Sequence, residues 1–186
     1  MNNKVKFGLC DVHVAKITVA NDGTISYGTP FAIPGAVSLT LDPAGESEPF
    51  YADNTQYFIG SSNQGYTGSI ELALIPDDFR TQILGETVDS NNAHFENIDD
   101  IISPFALGFR INGDKTNRKY WYYNNTATRP SNTSQTIEAT KTPVTETLNI
   151  TSTARPDGQV RTFMDETTEN ATAYANFFNE VYERTA

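Results

Sequence analysis

The chain has 186 residues, with 13 Lys and Arg against 23 Asp and Glu, so its formal net charge is −10 at pH 7. This length suits one ordinary domain with a core of its own, and an acidic field of this size opposes general nucleic-acid binding. Cys10 is the one cysteine, which excludes an intrachain disulfide, and no apolar run approaches the roughly 20 residues that a membrane-spanning helix needs.

The first part of the chain is predicted to form strands joined by turns. Apolar and polar residues alternate from His13, and T-I-S-Y-G gives a second strand. Between them, residues 21–23 (N-D-G) supply a turn, because these residue types tolerate positive φ. The clearest strand is A-V-S-L-T-L, residues 36–41, whose apolar side chains share one face.

A long loop is predicted from about residue 43 to residue 66. Its sequence, PAGESEPFYADNTQYFIGSSNQGY, surrounds large aromatic residues with turn residues and acids. A structureless loop of this length is uncommon in a compact domain and usually has a function. Its large apolar side chains need a surface to cover them. Two interpretations stay open: the side chains fold back on their own core, or they reach another molecule.

A strand, a short helix and a hairpin are predicted to follow the loop. The strand S-I-E-L-A-L-I ends at Pro76, which suits the first position of a helix. Asp77 and Asp78 complement the positive end of the helix dipole, and Gly85 closes the helix. F-A-L-G-F-R-I and K-Y-W-Y-Y-N then alternate on either side of a turn. Near the C-terminus, apolar residues at helical spacing predict an amphipathic helix over about 169–184.

These patterns predict a mainly β fold with a short flanking α-helix and a C-terminal helix. The apolar faces of the clearest strands and of the short helix should form the core. The predicted core residues are Val37, Leu39, Leu41, Ile70, Leu72, Leu74, Phe79, Ile83, Phe105, Leu107 and Phe109.

The thiol and the two histidines carry little sign of chemistry. His13 and His94 are the only histidines, and no pair of potential ligands has the spacing of a zinc site such as H-x-x-x-H or C-x-x-C. Cys10 and His13 could form a nucleophile and base, but near neighbours on a strand point along or across the sheet and lack the supporting architecture of a triad. We therefore interpret Cys10 as an ordinary, partly buried cysteine.

The paired acids also lack a specific pattern. Asp77 and Asp78 fit the start of a helix, and the pair at residues 99–100 fits a solvated stretch, whereas glycoside hydrolysis needs two carboxylates across a cleft. The segment that begins at Asp89 has the acidity of a calcium loop but lacks the glycine that such a loop requires. We predict no catalytic residue, no metal site and no cofactor, and hence a protein that is not an enzyme.

The stretch GFRINGDKTNRKYWYYNN, residues 108–125, admits two interpretations. Aromatic rings among cations can form a surface on which bases or sugars stack. Two strands around a turn explain the same aromatic density by packing alone. We favour the hairpin, and expect its cations on solvated strand faces or at boundaries between subunits. The cations in question are Arg110, Lys115, Arg118 and Lys119.

Several phrases of the sequence, taken together, resemble one family. They are VKFGLCDVHVAKIT, YGTPFAIPGAVSLTLDPAGE, FYADNTQYF, NQGYTGSIELALIPDDFRTQILGE and FALGFRINGDKTNRKYWYYN, followed by RPSNTSQT and TETLNIT. In this order, and over nearly the whole chain, they resemble the major tail proteins, or tail tube proteins, of long-tailed non-contractile bacteriophages and related prophages of Gram-positive bacteria.

The resemblance implies a fold and a role. The fold would be a β-sandwich or barrel-like tail-tube domain spanning residues 1–186, with no appended immunoglobulin-like domain. Subunits would form stacked hexameric rings around a channel through which phage DNA passes without specific binding. A tape-measure protein and a tail terminator would be partners. The protein would be part of the virion, and MNNKVKF, without an apolar signal region, predicts synthesis in the host cytoplasm.

In this family context the long loop becomes an arm that contacts a neighbouring subunit. Its expected interface residues are Phe50, Tyr51, Asp53, Asn54, Tyr57, Phe58 and Tyr66. Two other functions are weighed against assembly. One is a carbohydrate-binding β-sandwich that uses the strand from Tyr120 to Tyr123, and the other is an enzyme of the glycosidase type.

Overall fold

The computed structural model of the chain describes residues 3–20, 23–136 and 143–184. Within these residues it contains thirteen strands and two short helical segments. The strands are β1 (Lys6–Val19), β2 (Ile25–Tyr27), β3 (Phe31–Ala32), β4 (Ala36–Ala44), β5 (Ser47–Ala52), β6 (Thr55–Ser61), β7 (Gly65–Leu72), β8 (Thr87–Val88), β9 (His94–Phe95), β10 (Phe105–Gly113), β11 (Arg118–Ala127), β12 (Glu146–Thr153) and β13 (Arg161–Asp165). The mainly β prediction is confirmed. Residues 21 and 22 of the predicted turn lie outside the described residues.

One antiparallel sheet contains most of the strands. Its order is β2-β1-β10-β11-β12-β7-β4, with β3 also paired to β1 and β13 to β11. Strand β11 has two partners on one side, because Arg118–Tyr122 pair with β13 and Asn124–Ala127 pair with β12. Strand β1 also contacts β4, which lies at the other end of the sheet, without a hydrogen-bonded ladder between them in the described part. The sheet therefore curls towards a barrel that stays open between β1 and β4.

The main core fills the concave side of this sheet and is closed by the short helix. The helix consists of an α-helical turn, α1 (Asp77–Phe79), and a π-helical turn, Arg80–Leu84. It ends where predicted, because Gly85 adopts φ 85° and donates its N–H to the Arg80 carbonyl. Phe79 and Ile83 point from it into the core, at 1% and 0% exposure.

Most of the predicted core is confirmed. Ile70, Leu72, Phe79, Ile83, Phe105, Leu107 and Phe109 are buried, and Leu39 and Leu41 are partly buried against them. Val37 and Leu74 are exposed, so these two predictions are wrong. Val37 sits at a register shift between Ala36 and Ser38, which turns it away from the core face. Strand β7 ends at Leu72, so its alternation no longer applies at Leu74.

A second core lies on the opposite face of the central strands. It contains Ala15, Ala106, Trp121, Tyr123, Phe177 and Val181. Residues 171–184, which we call the C-terminal segment, cover this face. Their only α-helix within the described residues is α2 (Ala171–Ala175), followed by turns, so the predicted helix over 169–184 is too long.

Side chains of β11 donate hydrogen bonds to carbonyls of the C-terminal segment. The Lys119 ammonium donates to the Tyr174 carbonyl at 2.7 Å. The Trp121 indole N–H donates to the Phe177 carbonyl at 2.8 Å, and the Tyr123 hydroxyl donates to the Tyr182 carbonyl at 2.8 Å. Alternate residues of one strand thus hold the segment, because residues i, i+2 and i+4 share a face. None of the helices in the described residues has the length and apolar character needed to span a bilayer.

Candidate assembly surface

The stretch predicted as a long loop is a β-hairpin that extends the sheet. Strands β4 and β7 pair as far as Ala44 and Gly65, and strands β5 and β6 continue the same ribbon. Backbone hydrogen bonds bridge the two ladders, from Ser62 to Glu46 at 3.0 Å and from Gln64 to Ala44 at 2.8 Å. We call residues 45–64 the arm. The prediction of a structureless loop over 43–66 is wrong, because its polar residues pair along a ribbon instead of forming turns.

Glycine is required where the arm leaves the sheet. Gly65 adopts φ 98°, and a Cβ atom added there would overlap the carbonyl oxygen of Ser152 on the neighbouring strand β12. The ladder between β7 and β12 reaches only as far as the pair Tyr66 and Ser152, so Gly65 lies one residue beyond it. The arm therefore has neighbours from the sheet only at its base.

The tip of the arm is a two-residue turn. Asp53 and Asn54 have φ values of 51° and 58°, and the Thr55 hydroxyl donates to the Ala52 carbonyl at 3.1 Å. Positive φ at both central residues is the mark of the type I′ turn, whose twist matches that of a hairpin. Asp53 and Asn54, predicted as contact residues, thus also have a structural reason to be there, since these types tolerate positive φ best after glycine.

The aromatic residues of the arm face water. Phe50, Tyr51, Tyr57 and Phe58 are 61%, 64%, 74% and 63% exposed, and Ile59 is 54% exposed. Phe50 and Phe58 are directly opposite each other on the two strands. The interpretation in which these side chains fold back on their own core is wrong. Four large rings and an isoleucine on one ribbon form an apolar surface of the kind that marks an interaction site.

Tyr66 does not belong to the arm. It lies in β7, half-buried, with its ring edge-on to Tyr122 at a centroid distance of 5.3 Å. The Arg161 guanidinium lies 5.2 Å from the centre of the Tyr66 ring. The structure therefore brings together six of the seven predicted interface residues and separates Tyr66 from them.

The arm carries charge of one sign. Residues 45–64 include Glu46, Glu48 and Asp53 and contain no Lys or Arg. The sequence pattern includes these acids but predicts no role for them in the contact. Any surface that receives the arm must accept apolar rings and carboxylates side by side.

The aromatic hairpin formed by β10 and β11 is not an open stacking surface. Trp121, Tyr122 and Tyr123 are 0%, 4% and 1% exposed, and Tyr120 is partly buried. Successive rings enter opposite cores, because side chains of a strand alternate between its faces. Tyr122 packs in the main core, and Trp121 and Tyr123 lie beneath the C-terminal segment.

The cations of this hairpin are engaged within the chain. The Arg110 Nε lies 2.9 Å from Asp11, and the Arg118 guanidinium makes two bonds to Asp165 at 2.8 and 2.6 Å. Lys119 is buried, 4.2 Å from the centre of the Tyr174 ring, and burial lowers the pKa of its ammonium group. For Lys119 the expectation of a solvated face is wrong, because its side chain is buried. Arg110 and Arg118 are partly exposed and pair with acids of their own chain, and a contact with acids of a neighbour stays a prediction.

The residues considered for catalysis have separate structural partners. The Cys10 thiol lies 3.2 Å from the Arg110 Nε, while the His13 ring stacks on Phe178 at 4.6 Å. The Asp89 carboxylate accepts backbone N–H groups of Asn91 and Ala93 at 2.8 and 2.9 Å, which lowers its pKa and uses its oxygens to shape a turn. Across residues 3–20, 23–136 and 143–184, no group of three or more His, Cys, Asp and Glu is placed to hold a metal ion.

No protein-family model matches the chain, and no curated protein matches it.

Proposed function

We propose that the protein is a structural subunit of a phage tail, which assembles into stacked hexameric rings to form the tube through which DNA passes. The observation that carries this proposal is the exposed aromatic arm, which extends beyond the sheet as an ordered ribbon. The sequence resemblance supplies the identity of the assembly. Its tape-measure and terminator partners, and its place in the virion, belong to the same proposal.

The arm supports assembly with further copies of the chain. A monomer rarely exposes a contiguous apolar patch of more than a few hundred Å², and exposed Tyr and Phe are typical anchors of protein interfaces. An arm at one end of a subunit makes a head-to-tail contact, which closes into a ring or continues as a filament. In a head-to-tail contact, one surface of a subunit binds a different surface of the next identical subunit. One kind of subunit can therefore build the whole assembly.

The charge of the chain also fits a channel for DNA. With a net charge of −10, a ring of identical subunits repels phosphate, and a tube wall that attracted DNA would slow its passage. The engaged cations of the β10–β11 hairpin leave few positive groups for such attraction. The carbohydrate-binding alternative has less support, since three of its four rings are buried.

Electron microscopy of the purified protein at rising concentration tests the proposal. We expect rings or tubes from the wild type, and only a folded monomer when Phe50→Ser and Phe58→Ser are combined. Val19→Ser, which changes a residue 58% exposed on β1, is the matched control and should assemble normally. A wild type that stays monomeric at every concentration, or tubes that form equally well from the double variant, would contradict it.

A further inference from the structure

The open side of the curled sheet contains a groove. It lies between β1 and β4 and has a volume of about 480 Å³. Its floor is apolar and consists of Leu9, Leu39, Leu41, Phe109, Ile111, Tyr120 and Tyr122. A cavity of this size lies in the range that accommodates a drug-sized molecule, so aromatic side chains fit within it.

The groove is rimmed by positive charge in a chain that is acidic overall. Lys6 and Arg161 line it, and an adjoining depression that shares Lys6, Ile111 and Tyr120 adds Lys4 and Arg118. No Asp or Glu lines either depression among the described residues. Arg118 is paired with Asp165, which leaves Lys4, Lys6 and Arg161 as the cations that a ligand could meet.

The Arg161 guanidinium is held in place before any ligand arrives. Its Nη1 donates to the Tyr122 hydroxyl at 3.1 Å, and it lies 5.2 and 5.8 Å from the centres of the Tyr66 and Tyr122 rings. Phe109 stacks on Tyr120 and Tyr122 at 4.9 and 5.9 Å, which fixes the floor. Tyr and Arg in such an ordered cluster are the residue types that dominate interface energetics.

The arm of the same chain does not occupy this groove. It continues the β4–β7 ribbon away from the sheet, and the eight residues from Gly45 to Ala52, at about 3.3 Å each, carry its tip roughly 26 Å from the base. Its aromatic rings are all more than half exposed. Folding back would break the backbone bonds that join the two ladders.

We propose that the groove between β1 and β4 receives the arm of a second copy. Aromatic rings of the arm rest on the apolar floor, and Glu46 and Glu48 lie beside Lys4, Lys6 and Arg161. This inference rests on the proposed function and identifies the receiving surface for the arm. The two surfaces match in both respects, since an acidic apolar ribbon meets a basic apolar groove. Because arm and groove are different surfaces, each copy both gives and receives one contact.

Cross-linking between two differently labelled copies tests where the arm lies. In a Cys10→Ser background, copies with Phe58→Cys are mixed with copies with Phe7→Cys and treated with a short thiol cross-linker. Phe7 lines the groove and is 60% exposed. Val19→Cys is the matched control on the same strand, 58% exposed and away from the groove. We expect mixed dimers with Phe7→Cys and background levels with Val19→Cys.

Charge reversal tests the ion pairs between arm and groove without any cross-linking. Lys4→Glu with Lys6→Glu, or Glu46→Lys with Glu48→Lys, should each raise the concentration needed for assembly about tenfold. Combining all four reversals in one chain should restore most of the loss. Lys16→Glu, an exposed reversal on β1 outside the groove, is the control and should have little effect.

The outcomes separate this inference from the proposed function. Tubes that form without the Phe7→Cys cross-link, or reversals that do not compensate, overturn the groove assignment and leave tube assembly standing. Specific cross-linking without tubes supports the groove and contradicts the tail-tube proposal. Retention of single-stranded DNA that is lost in Lys4→Glu with Lys6→Glu, together with no cross-link, would make the groove a nucleic-acid site and overturn the inference.

Discussion

Trp121 and Tyr122 are neighbours in the sequence and lie in different cores. Trp121 is covered by the C-terminal segment, and Tyr122 packs with Phe109 and Tyr66. Strand alternation predicts that adjacent side chains diverge, but it does not reveal whether the second face meets water or protein. The second face is buried because Phe177 and Val181 cover it. These residues lie more than fifty positions further along the chain, and no local pattern indicates their contact with β11.

Leu72 and Leu74 provide a test of burial two residues apart. Leu72 is 0% exposed and Leu74 is 66% exposed. Leu72→Ala should lower the free energy of unfolding by about 2–5 kcal/mol, because it removes buried methyl groups and leaves a cavity. Leu74→Ala should change it by about 0.5 kcal/mol or less. Denaturant titration measures both, and equal losses would contradict the position of the strand end at Leu72.

Tyr27 should make the fold sensitive to alkali. Burial raises its pKa from 10.0 to about 12, against the opposing effect of the Arg155 guanidinium. Above its ordinary pKa the residue loses its proton in the unfolded chain but keeps it in the folded protein. The free energy of unfolding should therefore fall as the pH rises from about 10 to about 12.

Denaturant titrations across this pH window check the prediction. Tyr27→Phe should reduce the slope of stability against pH, because it removes a group that titrates differently in the two states. An unchanged slope in this variant would show that Tyr27 is not the group responsible.

At the scale of elements, strands and helices with regular alternation and capping could be predicted from the sequence, whereas the arm and the C-terminal segment could not. The strand at residues 36–41 and the helix ended by Gly85 follow from alternation and capping. The arm was missed as a ribbon because its apolar residues come in adjacent runs and do not alternate with polar ones, although Asp53-Asn54 flanked by Tyr51 and Tyr57 is a hairpin signal. The C-terminal helix was overestimated because the apolar spacing continues past Ala175, whereas the chain there forms turns that β11 side chains hold by their carbonyls, as Trp121 holds Phe177.

The C-terminal segment can be followed by the one tryptophan of the chain. Phe177 is 1% exposed in the second core, and its carbonyl accepts the indole N–H of Trp121. Phe177→Ala should cost about 3–5 kcal/mol of stability and shift the Trp121 fluorescence towards that of a solvated indole. Phe163→Ala, at a residue 50% exposed on β13, is the control and should leave the emission unchanged. Unaltered emission in Phe177→Ala would contradict the cover over Trp121.

At the scale of the whole molecule, a buried core is combined with exposed apolar surfaces. Several of the most exposed large apolar side chains lie in the arm and in the connection after β9, where Ile98 and Ile101 are 92% and 84% exposed. Alternating apolar residues predicted a mainly β domain, composition gave its net negative charge, and the resemblance directed attention to the arm. The groove could not be predicted, because it forms from β1, β4, β10, β11 and β13, which only the curl of the sheet brings together.

Salt should weaken assembly more than folding. The buried cores are apolar, whereas the contact between arm and groove would include exposed ion pairs worth about 0–1 kcal/mol each, repeated at every boundary. Raising sodium chloride from 0.1 M to 1 M shortens the screening length from about 10 Å to about 3 Å. Light scattering should report shorter assemblies, while the denaturant midpoint of the monomer changes little. Assemblies that are insensitive to salt would show that ion pairs contribute little to the contact.

The second core also sets an order for biosynthesis. A chain emerging from the ribosome presents β1, β10 and β11 well before Phe177 and Val181 have been translated. Until then, the nascent sheet exposes Trp121 and Tyr123 to solvent, and its last strand, β13, has yet to pair with β11. The face beneath the C-terminal segment therefore closes only after that segment has been made, and until then two apolar surfaces of the nascent chain, the arm and this face, are open at once.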